Sequence, residues 1–183
     1  MTPQEDFVRR YVEQGLETDD EVQIFLAWLQ ASGPDEWHRW AINWNWDYGQ
    51  QLFEWIVSQP GCDKGTALSV YYAAQPDFFA DYPSLVSSAN DEAASLMKVI
   101  CENWSRGTYT TYAFLPSEAA LDHLRQGEEA MVALAAKTPW NVPDDMARAG
   151  IQGEPNNVER ALDGIPYEMI EALRSCGLDE TTV

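Results

Sequence analysis

The chain has 183 residues, 45% of them hydrophobic, and its 30 acidic residues against 11 basic ones give a net charge of −19. This length and apolar content suffice for one domain with its own core. The charge argues against direct contact with nucleic acid, because neutralising phosphates requires clusters of Lys and Arg, and it disfavours anionic membrane surfaces. It favours a basic protein partner, although acidity can also serve only to keep a small protein soluble.

The cysteines and the first residues bear on the compartment. Cys62, Cys101 and Cys176 are odd in number and lack metal-ligand spacing, so free thiols in a reducing compartment are expected. Residues 1–6 lack the basic and apolar regions of a signal peptide, and no apolar run approaches membrane length. We therefore expect a cytoplasmic protein, monomeric or weakly dimeric, with no membrane contact.

Helical signals dominate the first half of the chain. Thr2-Pro3 opens a first helix that ends at Gly15, and a capping box of Thr18 and Glu21 opens the second, which breaks at residues 32–34. Further helices are predicted over roughly residues 35–43 and 47–58, from Thr66 to Pro76, and from Asn90 or Asp91 to Arg106-Gly107.

The rest of the chain is more varied. Residues 77–90 predict an irregular loop held down by aromatic side chains, and Thr108 to Leu115 is β-like without a partner strand, hence an extended connector or at most an isolated edge. Pro116-Ser117-Glu118 starts a helix through about Ala136, and Val142-Pro143 and Ile165-Pro166 each open a short piece.

Together these elements predict an all-α, single-domain bundle of about seven or eight helices with an irregular Pro/Gly-rich C-terminal part. The helical core domain spans residues 1–138 and contains a tryptophan-rich motif at residues 37–68. Residues 139–183 form short helices packed on that core.

Three tryptophans of the motif, Trp37, Trp40 and Trp44, have the spacing of one helical stripe. Such a stripe is usually core, because each indole buries roughly 150–250 Å². On this interpretation, replacing Trp44 or Trp55 by alanine costs on the order of 3–5 kcal/mol each. A stripe of exposed indoles would instead form a platform for sugars.

The motif closes on a turn over residues 60–66. Pro60-Gly61 stops one helix, Gly65 is predicted to adopt a positive φ, and Thr66 or Asp63 caps the next helix. Lys64, the only cation between Arg39 and Lys98, is expected to pair with Asp47, Asp63 or Glu54.

The motif resembles an uncharacterised bacterial domain family over roughly residues 30 to 105. The resemblance rests on a W-H start, an N-W-D core and a C-D-x-G-T-A turn. It implies no activity, but members encoded near contact-dependent toxins imply an immunity role. The motif residues, to which we assign a structural role, are Trp37, Trp44, Asn45, Trp46, Asp47, Cys62, Asp63, Lys64, Gly65 and Thr66.

Catalytic signatures are scarce, and we expect no catalytic residue, cofactor or metal ligand. Nucleotide-binding loops, the zinc-protease helix and the hydrolase nucleophile turn are all missing from the sequence. His38 favours a hydrogen-bonded structural role over that of a base. Cys62 is a nucleophile only if a helix N-terminus lowers its pKa.

Asp47 and Asp63 leave one enzymatic interpretation open. Paired carboxylates serve glycoside hydrolysis, and a carbohydrate- or nucleotide-processing enzyme would use them beside the tryptophan platform. The more frequent role of Asp47 is to cap the helix that follows it, and that of Asp63 is to fix the turn through an Asx hydrogen bond.

Acidic runs supply the candidate interface. They are ordinarily solvated helix starts, but together they can rim a surface that meets a basic partner, with Trp140 or Phe79 as exposed aromatic anchors. The expected function is that of an immunity protein that binds a cognate toxin, plausibly a basic nuclease, and the other alternative is a helical adaptor that inhibits nothing. The residues expected to bind the toxin are Asp19, Asp20, Glu128, Glu129, Trp140, Asp144 and Asp145.

Overall fold

A computed structural model of the chain describes residues 21–46, 50–83, 92–156 and 165–175, together with Asp6 and Arg9. The predicted first helix, the capping residue Thr18 and the Asn90-Asp91 cap lie outside these ranges. The described residues form ten helices and no strand: α1 (Glu21–Ala31), α2 (Pro34–Asn43), α3 (Gln51–Ser58), α4 (Lys64–Ala73), α5 (Pro76–Asp81), α6 (Glu92–Ser105), α7 (Glu118–Leu124), α8 (Glu128–Ala135), α9 (Asp144–Ala147) and α10 (Tyr167–Ser175).

The all-α class is confirmed, and the larger number of helices has local causes. The helix predicted from residue 118 to about 136 is divided into α7 and α8, because Gly127 has a φ of 93° that no continuous helix accommodates. Part of the stretch predicted to be irregular, residues 77–81, belongs to α5, which begins at Pro76. Gln75 adopts a left-handed φ of 57°, which ends α4, and Pro76 then starts the next helix.

Helix α4 lies at the centre of the fold. Every residue from Gly65 to Tyr72 is buried, and the helix packs against α2, α3, α6 and α7. A helix that is apolar or small on all sides has no solvent face to present, so it is enclosed by its neighbours. Its first turn is consequently in contact with distant parts of the chain.

The tryptophan stripe belongs to the core, as predicted. Trp40 is fully buried and Trp44 nearly so, and both rings pack on Phe25 of α1 at centroid distances of 5.1 and 5.7 Å. Trp46 stacks on Phe53 at 5.0 Å. The aromatic residues therefore join α1, α2 and α3.

The β-like run from Thr108 to Leu115 is an extended connector, as predicted. Its single bridge pairs Phe114 with Glu154 in parallel, with the Leu115 N–H donating to the Glu154 carbonyl at 2.9 Å and the Glu154 N–H donating to Ala113. The connector crosses the N-terminal end of α4 before α7 begins behind its cap, Ser117.

The C-terminal helices share the hydrophobic core with the rest of the chain. Helix α9 packs on α8, and Met146, Met169 and Leu173 belong to the same buried cluster as the residues of α4 and α6. The division at residue 138 stays a prediction. Within the described ranges, no helix combines the length and apolar character that a membrane crossing requires.

Candidate functional site

The turn before α4 is built around the carboxylate of Asp63, which is 1% exposed. Its Oδ1 accepts a hydrogen bond from the Gly65 N–H at 2.8 Å, the Asx bond predicted for it. Its two oxygens also accept from the connector, Oδ2 from the Ala113 N–H at 2.7 Å and Oδ1 from the Phe114 N–H at 3.3 Å. One side chain thus caps a helix and holds a strand-like segment distant in sequence.

Two further hydrogen bonds attach the connector and the α7 cap Ser117 to α4, and a third, within α4, orients Ser69. The Lys64 N–H donates to the Thr111 carbonyl at 2.8 Å. The Ser69 hydroxyl donates to the Gly65 carbonyl at 2.7 Å and accepts from the Ser117 N–H at 2.8 Å. The connector therefore depends on the first two turns of α4 for its position.

Gly65 is required for a different reason from the one predicted. It lies inside α4, which begins at Lys64 rather than Thr66, and it is not among the described glycines with positive φ. The prediction of a positive φ was therefore wrong. A Cβ at this position would overlap the Phe114 carbonyl oxygen and would lie 3.1 Å from Asp63 Oδ1, so the glycine permits close approach of two backbones.

Gly153 also lies close to the Phe114 carbonyl group. It has a φ of 87°, and a Cβ there would lie 2.7 Å from the Leu115 N and closer still to the Phe114 carbonyl group. The backbone at Phe114 is thus enclosed by two glycines, one in the tryptophan-rich motif and one near the C-terminal helices.

Lys64 contacts an aromatic ring and forms no ion pair with the two described residues among its three predicted acidic partners. Among the described residues it pairs with neither Asp63 nor Glu54, and Asp47 lies outside the described ranges. Its Nζ instead lies 5.0 Å from the centroid of the Trp104 ring, a cation–π contact. The Trp104 Nε1–H donates to Asp145 Oδ2 at 2.8 Å, so α4, α6 and α9 meet at one indole.

His38 is a core residue, as favoured from the sequence. It is fully buried, its Nδ1 is hydrogen-bonded to the Thr66 hydroxyl at 2.8 Å, and its ring stacks on Phe114 at 4.8 Å. Burial lowers the pKa of His38 to about 4, against smaller opposing contributions that include the nearby Asp63 carboxylate. The imidazole is therefore neutral near pH 7 and has no path to a substrate.

The two described cysteines are free and buried thiols. Burial raises the pKa of Cys62 well above its usual value, and Asp63 raises it further. Burial likewise raises the pKa of Cys101 to about 12, with Glu102 contributing. Neither thiol has the thiolate character that a nucleophile needs, and Cys176 lies outside the described residues.

The tryptophans do not form a sugar platform. Trp37 is half-buried, its Nε1–H donates to the Leu29 carbonyl at 2.7 Å, and its ring packs edge-on against Trp55 at 5.3 Å. Glu36, which the sequence did not single out, accepts from the Nε1–H groups of Trp28 at 3.2 Å and Trp40 at 3.0 Å. Asp63, at 1% exposed, accepts hydrogen bonds from three backbone N–H groups and does not lie beside a set of exposed indoles.

The four described residues of the predicted acidic interface, Glu128, Glu129, Asp144 and Asp145, are all exposed at the starts of α8 and α9. Two of them already have partners, since Glu128 forms an ion pair with Arg148 and Asp145 accepts a hydrogen bond from Trp104. Their role in binding a toxin stays a prediction. Asp19 and Asp20 lie outside the described residues.

The exposure predicted for the aromatic anchors Trp140 and Phe79 was wrong, whereas a role of Trp140 in toxin binding stays a prediction. Trp140 is 9% exposed and its Nε1–H donates to the Tyr71 hydroxyl at 3.3 Å, and Phe79 is 4% exposed. Among the described residues, the exposed rings are Tyr167 on α10 and the pair of Phe78 and Tyr82, at 42% and 55%, on α5 and its C-cap. The four-residue spacing of that pair on one helix face is the signal that would have identified it.

A family model matches the part of the chain that contains the tryptophan-rich motif. No curated protein and no solved structure matches the chain. The region that matches the family model spans α2 to α6 and agrees closely in extent with the resemblance described from the sequence. It ends before the connector that carries Phe114. Residues 32–105 match the model of a family described as a domain of unknown function, DUF4274.

Proposed function

We propose that this protein is an immunity protein, which binds a cognate bacterial toxin in the cytoplasm and neutralises it. The toxin in this proposal is basic, and a nuclease fits best, because a cationic nucleic-acid site attracts an acidic inhibitor. The complex would contain one copy of each protein.

The observation that carries the proposal is the net charge of −19 together with its placement. Exposed carboxylates occur on α5, α7, α8 and α9, whereas much of the positive charge is already engaged. Arg106 pairs with Glu102, Arg125 with Glu118 and Asp122, and Arg148 with Glu128. A field of one sign accelerates encounter with a partner of the opposite sign.

The motif supports a binding role over a catalytic one. Asp63, His38 and Cys62, the described motif residues that we weighed as acid, base or nucleophile, are each buried and engaged in contacts that hold the fold. The immunity function is also what the resemblance to family members near toxin genes implies.

The test is co-expression with the toxin domain encoded beside this gene. Survival of cells that make both proteins, with death when only the toxin is made, is the expected outcome. Death despite folded copies of both proteins overturns the proposal, as does a neighbourhood of metabolic genes with no toxin. A complex that forms without reducing toxin activity would identify a helical adaptor instead.

Association kinetics provide the second measurement. The Debye length falls from about 10 Å at 0.1 M salt to about 3 Å at 1 M, so the association rate should fall with salt while the dissociation rate changes less. If α8 and α9 rim the interface, Glu129→Lys and Asp144→Lys slow association. Asp145→Lys is unsuitable because it also removes the Trp104 hydrogen bond.

A further inference from the structure

Resting on that proposed function, we propose that α5 is the docking surface and that an arginine-bearing, cationic segment of the toxin occupies it. We call this surface the α5 face and define it by Phe78, Tyr82, Asp77 and Asp81. It combines two exposed rings with two exposed carboxylates on a six-residue helix and its C-cap.

The aromatic half of the α5 face is a pair in contact. Phe78 and Tyr82 are 42% and 55% exposed, and their ring centroids are 5.2 Å apart. The other large hydrophobic side chains exposed in the described ranges are Val99, Ile151 and Tyr167, each on a different part of the chain. Paired exposed aromatics are the residues that interface cores favour.

The acidic half runs beside the aromatic half. Asp77 and Asp81 have the same four-residue spacing as Phe78 and Tyr82, so the two pairs form adjacent stripes on the helix. Among the described residues, neither carboxylate ion-pairs with a Lys or Arg, and the His123 Nε2 lies 4.0 Å from Asp77 Oδ1. Two like charges at this spacing are mildly destabilising in the free protein, and a bound cation would relieve that repulsion.

Buried side chains of the same helix anchor the α5 face in the fold. Pro76 and Phe79 are buried, and the Phe79 ring packs edge-on against Trp140 at 5.8 Å and on Phe78 at 5.4 Å. On the α7 side, the His123 ring stacks on Tyr72 at 4.6 Å. A presented surface that is already ordered loses little conformational entropy on binding.

The chemistry of the α5 face selects its occupant. A guanidinium stacks on aromatic rings and forms two-pronged hydrogen bonds with carboxylates, whereas a lysine ammonium is more strongly hydrated and lacks the planar fork. Glu118 and Asp122 on α7, both paired with Arg125, extend the acidic surroundings. Charge complementarity therefore points to an arginine-bearing segment of a basic partner.

The experiment measures binding of the cognate toxin domain to immobilised variants of the full chain. Phe78→Ala with Tyr82→Ala should raise the dissociation rate at least about tenfold, because buried aromatic anchors dominate such interfaces. Asp77→Asn with Asp81→Asn should slow association and weaken its salt dependence. The variant with Asp77→Asn and Asp81→Asn is nearly isosteric with the wild type and removes the repulsion between the two carboxylates. It therefore keeps the test valid if the variant with Phe78→Ala and Tyr82→Ala fails to fold.

Matched controls separate this surface from the proposed function. Tyr167→Ala removes an equally exposed ring elsewhere, and Glu92→Gln with Glu171→Gln makes the same change in net charge at exposed positions of α6 and α10. If the α5 variants bind the toxin as tightly as the wild type does, the α5 face is not the docking surface. The same conclusion holds if the control pair weakens binding equally. In both cases the immunity function stands. Failure of the wild type to bind the toxin overturns both.

Discussion

The carbonyl oxygen of Phe114 lies against the Cα of Gly65 so closely that no side chain fits between them. Gly65 is in the first turn of the central helix α4, and Phe114 is in the extended connector that leads to α7. Asp63 accepts hydrogen bonds from the N–H groups of Gly65, Ala113 and Phe114. The tryptophan-rich motif thus positions a segment outside the region that matches the family.

Gly65→Ala should destabilise the protein by about 1–3 kcal/mol, because the added methyl group forces two backbones apart. In an unconstrained helix the same change would stabilise the protein by roughly 1 kcal/mol. The sign of the change in unfolding free energy therefore shows whether the two backbones are in close contact. Urea unfolding measures the difference. Gly150→Ala is the control, since a Cβ there meets nothing within 4 Å. Equal effects of the two substitutions would contradict the close approach.

Asp63→Ala should cost on the order of 3–5 kcal/mol, since it leaves one buried and two partly buried N–H groups without this acceptor and removes a helix cap. Thermal and urea unfolding give the value. Asp144→Ala, which removes an exposed acid from the start of α9, should change stability by less than about 1 kcal/mol. A comparable loss in both variants would show that the buried network contributes no more than an ordinary helix start.

Trp44→Ala should cost on the order of 3–5 kcal/mol, whereas Trp55→Ala should cost less. Sequence spacing predicts equal losses, but Trp44 is 7% exposed and packs on Trp40 at 5.4 Å, while Trp55 is half-buried. Unfolding free energies of the two variants, measured under one condition, decide between the predictions. A larger loss of unfolding free energy for Trp55→Ala would mean that burial does not determine how much each tryptophan contributes to stability.

Stability should fall as the pH drops from about 6.5 to about 4, in part because of His38. Burial lowers the pKa of His38 to about 4, so across this window the unfolded chain takes up a proton that the folded state excludes. At about 1.4 kcal/mol per pKa unit, the contribution is on the order of 3 kcal/mol. It is fully present above the unfolded pKa and is lost towards acid pH.

The pH profile of His38→Asn should therefore be flatter than that of the wild type, whatever its stability at neutral pH. Asparagine keeps a polar atom near the position of Nδ1, close to Thr66. His123→Gln serves as the comparison, because it removes the other histidine from the edge of α7. Parallel profiles for His38→Asn and the wild type would rule out titration of His38 as a source of acid sensitivity.

Features that depend on neighbours in sequence were predictable. Apolar periodicity and caps located α2, α6 and the start of α7, and the spacing of Trp40 and Trp44 identified core residues. The Asx bond of Asp63 followed from its place two residues before Gly65. In each case the interacting groups lie within one or two helical turns, where chain geometry alone determines their separation.

Features that depend on distant parts of the chain were decided by tertiary structure. The sequence marked Gly65 as special but could not supply Phe114, which approaches it only because the connector crosses α4. It ranked Trp140 and Phe79 as exposed anchors, yet they meet each other in the core, and Phe78 and Tyr82 face outward instead. Composition determined that the protein is acidic, and apolar periodicity with helix caps indicated that it is helical. Which carboxylates and rings share one accessible face depends on helix packing, because exposure is a property of the neighbours that cover a residue.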